Sequence, residues 1–115
     1  MHEYSLVQEL ITLARTELRS CDQSGRVLGM TVTVGPLSGA SPEAMEMAFT
    51  MLVAGTDWEG ARLAIDRTHP VCRCRECGQE TEISEYVFAC PTCDGLDFTI
   101  NGGDELQLTS IDIED

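Results

Sequence analysis

Five of the six cysteines in this 115-residue chain fall between residues 72 and 93, and their spacing carries its clearest chemistry. Cys74-x-x-Cys77 is followed, twelve residues later, by Cys90-x-x-Cys93. One Cys-x-x-Cys turn sets two thiolates at a corner of a tetrahedron, and a second turn completes it. Zinc accepts four sulfur ligands and holds a fold without redox chemistry. Gly78 follows the first pair and Pro91 sits inside the second, and both suit the tight turns such corners need. A four-thiolate site leaves no open position for water, so the expected zinc is structural. Cys72 extends the first cluster to Cys-x-Cys-x-x-Cys, so five thiols compete for four positions. The matched pairs favour Cys74, which leaves Cys72 free or in exchange with it. Cys21, at the end of the first helical stretch, reads as a small buried apolar side chain.

The second candidate site is Met1-His2-Glu3. The α-amine of Met1 is a nitrogen donor. The His2 amide can lose its proton to a suitable metal, and the His2 ring closes a six-membered chelate through Nδ1. Three nitrogens in one plane suit nickel(II) or copper(II), with Glu3 able to add an oxygen. Since the metal displaces protons from all three nitrogens, binding weakens as pH falls. The ligands alone favour copper, and the bland alternative is a solvated histidine. His69 is the only other histidine; it lies three residues before Cys72 and reads as a surface residue at a strand end.

The charge balance limits the partners. Twenty acidic and seven basic residues, all of the latter arginine, give a net charge of −13. Such a chain repels nucleic-acid phosphates and anionic membranes. No basic stripe exists, and Arg73 and Arg75 form the only local cluster in the cysteine segment. The opening residues carry Glu3 and Glu9 and no basic leader, and no apolar run approaches the ~18 residues of a membrane span. A soluble, cytoplasmic protein is therefore expected, where close cysteines are metal ligands more often than disulfides.

The elements that must hold these residues follow from periodicity. Residues 4–20 show a helical stripe of Leu6, Leu10, Ala14 and Leu18, widened by Val7 and Ile11. Residues 26–35 read as a strand with Leu28, Met30, Val32 and Val34 inward, closed by Gly35-Pro36. Ser41-Pro42-Glu43 opens a second helix by capping, first-turn proline and dipole complementarity. Met45, Ala48, Phe49 and Leu52 form its apolar face, its methionines read as core filler, and Gly55 ends it. Residues 59–67 read as a strand with Leu63 and Ile65 inward, ended by His69-Pro70. Residues 79–89 have room for a short hairpin. Residues 104–114 read as a last strand whose alternation changes phase near Thr109-Ser110. The expected fold is α+β: a small mixed β-sheet covered by two helices, with an inserted zinc-ribbon-like four-cysteine lobe. The expected division is residues 1–69 plus 103–115 as a nickel-binding domain and 70–102 as a zinc lobe, whose few apolar residues need a metal to fold.

Together these residues resemble the HypA/HybF family of hydrogenase nickel-incorporation proteins. The resemblance runs from Met1-His2-Glu3-x-Ser5-Leu6 through Val32-x-Val34-Gly35-x-Leu37-Ser38 and the helix with Phe49. It continues to Cys72-x-Cys74-x-x-Cys77, Cys90-Pro91-x-Cys93 and the final strand. It implies nickel(II) at His2 with Glu3 assisting, and zinc at Cys74, Cys77, Cys90 and Cys93. It also implies a HypB-type GTPase partner and delivery to the [NiFe] hydrogenase large subunit, in some organisms also to urease maturation proteins. Some members carry a histidine directly after a cysteine pair; here those positions are Gly78 and Asp94, so no histidine is assigned to the zinc. An acidic residue near the second helix joins the nickel site in some relatives, but Ala40-Ser41 supplies none.

A zinc-ribbon adaptor that binds proteins without nickel is the alternative. A thiol oxidoreductase is the enzyme alternative, and it fares poorly. Neither cysteine pair opens a helix that would depress a thiol pKa, and no general base stands nearby. The chain is expected to be a metallochaperone and not an enzyme.

Overall fold

The computed structural model describes residues 2–114. The elements run α1 (His2–Ser20), β1 (Val27–Val34), α2 (Pro42–Val53), β2 (Arg62–Arg67), β3 (Val71–Cys74), β4 (Glu80–Glu82), β5 (Phe98–Asn101) and β6 (Leu106–Ile113). They form two three-stranded sheets, ordered β2-β1-β6 and β4-β3-β5. The α+β architecture with a separate cysteine lobe is as the sequence leads one to expect.

The chain divides into two compact units. One comprises Met1–Thr33, Ala40–Asp66 and Gln107–Asp115, and the other Val34–Gly39 and Arg67–Leu106. In the first unit α1 buries Val7, Leu10 and Ala14, and α2 buries Met45, Ala48, Phe49 and Val53. Val27, Met30 and Val32 of β1 and Trp58 of the turn after α2 complete this core. The Arg15 guanidinium lies 4.7 Å from the centre of the Trp58 ring and grips both Asp57 carboxylate oxygens, at 2.8 and 3.2 Å. That fork ties α1 to the turn leaving α2.

The helix ends follow local rules. The Ser41 hydroxyl accepts from the Ala44 amide at 3.3 Å, with Pro42 in the first turn. α1 closes through Asp22, at φ 54°, while the Gln23 amide returns to the Leu18 carbonyl at 3.0 Å. Gly55, at φ 76°, lies just beyond the end of α2.

Four expectations need correction. Leu28 is 46 % exposed, because Val27, Gly29 and Met30 are the buried residues around it and the alternation is regular only from Met30 onward. A Cβ on Gly29 would meet the Arg62 carbonyl oxygen at 2.5 Å, so the backbone of Arg62 leaves no room for a side chain there. Cys21 is exposed, since it follows the last turn of α1 instead of sitting on its apolar face. Met47 and Met51 are 67 % and 60 % exposed, on the face of α2 opposite Met45 and Phe49, so only some methionines fill the core. Within residues 79–89 only β4 forms, and it pairs back onto β3 instead of making its own hairpin. In β6, Thr109 and Ser110 are both exposed, which is where the alternation changes phase.

The second unit is built on β3. Val71, Cys72 and Arg73 pair antiparallel with Glu82, Thr81 and Glu80. On its other edge Val71, Cys72, Arg73 and Cys74 pair with Asn101, Ile100, Thr99 and Phe98. Val34–Gly39 joins this unit because the Gly35 and Leu37 amides donate to the Glu105 and Gly103 carbonyls at 2.8 and 2.6 Å. The Glu105 carboxylate accepts from Thr68 Oγ1 at 2.8 Å and from the Gly103 amide at 2.9 Å.

Candidate metal centres

The sheet positions the first cysteine pair and a loop brings in the second. Cys74 ends β3, and the chain turns through Cys77 to Gly78, whose amide donates to the Cys74 carbonyl at 3.1 Å. The second turn repeats this: the Asp94 amide donates to the Cys90 carbonyl at 2.9 Å. Gly78 and Asp94, each just after its pair, both adopt positive φ, 76° and 62°. That left-handed residue lets the chain leave the turn, which explains the glycine in the first.

The four sulfurs of Cys74, Cys77, Cys90 and Cys93 all lie within 4.8 Å of one another. Cys74 and Cys93 are 3.7 Å apart, as are Cys77 and Cys90. Four thiolates at the ordinary zinc–sulfur length of about 2.3 Å would stand about 3.8 Å apart in a regular tetrahedron. Backbone amides already point at the sulfurs. Glu76 and Cys77 donate to Cys74, Thr92 to Cys90 and Gly95 to Cys93, at 3.3 to 3.4 Å. The donor set and its geometry fit zinc, and all six cysteines are free thiols.

Four thiols so close cannot all ionise without a cation among them. The amides of Cys93 and Thr92 hold Cys90 down to about 7. Cys93 goes up to about 12: the Gly95 amide favours its thiolate, but burial and the Cys74, Cys77 and Cys90 thiols outweigh it. Cys72 stays outside the four. Burial raises its pKa first, and the charges of Cys90, Cys74 and Cys77 raise it further.

The N-terminal candidates are placed differently. His2 is the first residue of α1, with its side chain 64 % exposed. Met1, whose amine the chelate needs, lies outside the described residues. The Glu3 carboxylate accepts from the Ser41 amide at 3.2 Å and stands 3.8 Å from His2 Nδ1. Its own backbone amide, then that of Ser41, holds Glu3 below the usual carboxylate range. The Ser41 amide is the one partner that residue types could not reveal, because every residue but proline carries a backbone N–H. His69 is exposed, and no metal-ligating group among the described residues includes it.

Residues 1–113 match the family model described as hydrogenase/urease nickel incorporation, metallochaperone, HypA. This chain belongs to the HypA family. It is similar to the hydrogenase maturation factor HypA of Aquifex aeolicus, with 36 % identity over 99 % of this chain and 98 % of that one. It is similar also to that of Geotalea uraniireducens, with 33 % identity over 99 % and 100 %. The solution structure of the nickel metallochaperone HypA from Helicobacter pylori shares its fold, with a TM-score of 0.62, 22 % identity and 96 % of each chain covered. In this HypA-family chain no helix among the described residues is long and apolar enough to cross a membrane.

Proposed function

We propose that the chain carries nickel(II) at its N-terminus and delivers it to the large subunit of [NiFe] hydrogenase. Cys74, Cys77, Cys90 and Cys93 would hold a structural zinc. The observation that carries this reading is the family match along residues 1–113, which includes the opening Met-His-Glu. The exposed position of His2 at the head of α1 supports it.

The local chemistry suits a carrier. The first amides of a helix lack intrahelical acceptors, so the His2 amide can give up its proton to nickel without breaking a helical hydrogen bond. The positive end of the helix opposes a bound cation, which tempers affinity and favours release. The His2 ring would supply Nδ1, the Met1 amine the third nitrogen and Glu3 a carboxylate nearby. Transfer is ligand exchange and needs no covalent intermediate, so we assign no catalytic residue. We infer a HypB-type GTPase as working partner and urease maturation proteins as a second destination, in the cytoplasm. The nickel end falls in the expected 1–69 plus 103–115 domain, and the zinc in the 70–102 lobe.

A protein adaptor is the second reading. Tyr86, Phe88 and Leu96 of the cysteine unit are 64 %, 88 % and 76 % exposed, which suits a protein partner. Complementation separates the two. In a strain lacking this protein and grown with scarce nickel, the wild type should restore hydrogenase activity. The His2→Ala variant should restore it only with excess nickel. Full restoration by His2→Ala in scarce nickel would favour the adaptor.

A further inference from the structure

Cys72 is the one buried thiol that the zinc reading leaves unused. It is 1 % exposed and a free thiol. Along β3 the burial alternates, with Cys72 and Cys74 buried and Arg73 exposed, so both sulfurs leave the same face of the strand. Residues directly opposite in a sheet share a face, so Thr81 and Ile100, the partners of Cys72, point the same way. Thr81 Oγ1 lies 3.5 Å from Thr92 Oγ1, and Thr92 sits inside the second cysteine turn. The Cys90–Cys93 turn is therefore on the face from which Cys72 projects.

The four-cysteine cluster is asymmetric in a matching way. Cys74 and Cys90 are each 2 % exposed, while Cys77 and Cys93 are exposed. The two buried ligands, Cys74 and Cys90, thus form the inner half of the cluster, and Cys72 is a third buried thiol outside the group of four.

We propose that Cys72 is a reserve zinc ligand for the inner half of the site, able to replace Cys90 or Cys74. The inference rests on the zinc reading above. In the exchange the Cys72 thiol gives its proton to solvent and its thiolate bonds the metal, while the displaced thiolate breaks its bond to the metal and takes up a proton from solvent. The count of thiolates at zinc stays at four. The consequence is a centre that tolerates loss of an inner ligand but not of an outer one. Cys77 and Cys93 are the exposed ligands, on the side of the cluster away from the buried thiols.

The experiment compares bound zinc and the cobalt(II) spectrum in the full chain and its variants, under a competing chelator. Wild type and Cys72→Ala should each hold one metal with a four-thiolate spectrum. Cys90→Ala and Cys90→Ser should do the same, which shows that neither a cavity nor a hydroxyl matters. Cys90→Ala combined with Cys72→Ala should lose its metal to the chelator, and so should Cys93→Ala alone. If either Cys90 variant loses metal as readily as the double variant, Cys72 is only a packing residue. A wild type that binds neither zinc nor cobalt would instead overturn the zinc reading itself.

Discussion

The sulfur atoms of Cys77 and Cys90 stand 3.7 Å apart although twelve residues separate them in the chain. Cys74 and Cys93 repeat the same separation across the cluster. Each contact joins one Cys-x-x-Cys turn to the other, so a metal there staples β3 to the loop that follows β4. The apolar contribution of this lobe is small: Ile83 is its one buried aliphatic side chain among described residues 71–101.

Metal removal should therefore unfold the cysteine unit selectively. Stripping zinc with a strong chelator is expected to abolish protection of the β3, β4 and β5 amides against hydrogen exchange. Trp58, buried in the helical unit, should keep its native fluorescence. Retained protection of β3 in the zinc-free chain would show that the lobe folds without its metal.

Acid should weaken the helical unit through Asp57 and Glu3. The Arg15 guanidinium holds Asp57 below the usual range, and the Glu3 and Ser41 amides do the same for Glu3. A carboxylate depressed in the folded state contributes stability above its unfolded pKa of about 4. That contribution is lost as pH falls through the lower folded value. The melting temperature read by Trp58 fluorescence should fall below about pH 4, and Asp57→Asn should fall less steeply. Parallel curves for the two proteins would remove Asp57 from the account. Arg15→Ala should cost about 1 kcal/mol at neutral pH, since it also uncovers the Trp58 ring.

Gly29 should tolerate no side chain. A Cβ there would lie 2.5 Å from the Arg62 carbonyl oxygen, which is backbone and cannot swing aside. Gly29→Ala is expected to destabilise by about 1–3 kcal/mol in urea unfolding, as overpacked sites do. An unchanged midpoint would mean that β1 and β2 can separate freely at this point.

What the chain revealed before its structure was governed by short-range rules. The Cys-x-x-Cys spacing, the Ser41-Pro42-Glu43 cap and the stripe of Val7, Leu10 and Ala14 each depend on neighbours within a turn or two. The misplaced residues depend on distant partners. Leu28 is exposed beside Gly29, where the neighbouring Arg62 carbonyl leaves no room for a side chain. β4 chooses β3 as its partner across the first cysteine turn. A distant partner is equally hidden at Glu3, whose carboxylate takes the Ser41 amide, because nothing in either residue's type announces that pairing.

The central claim is that His2 anchors the nickel. Untagged protein with its native N-terminus should be titrated with nickel beside His2→Ala, and bound nickel and zinc counted by elemental analysis. One nickel per wild-type chain, none on the variant and one zinc on both is the expected result. Equal nickel on both proteins, or on neither, would contradict it and leave a zinc-stapled adaptor as the better account.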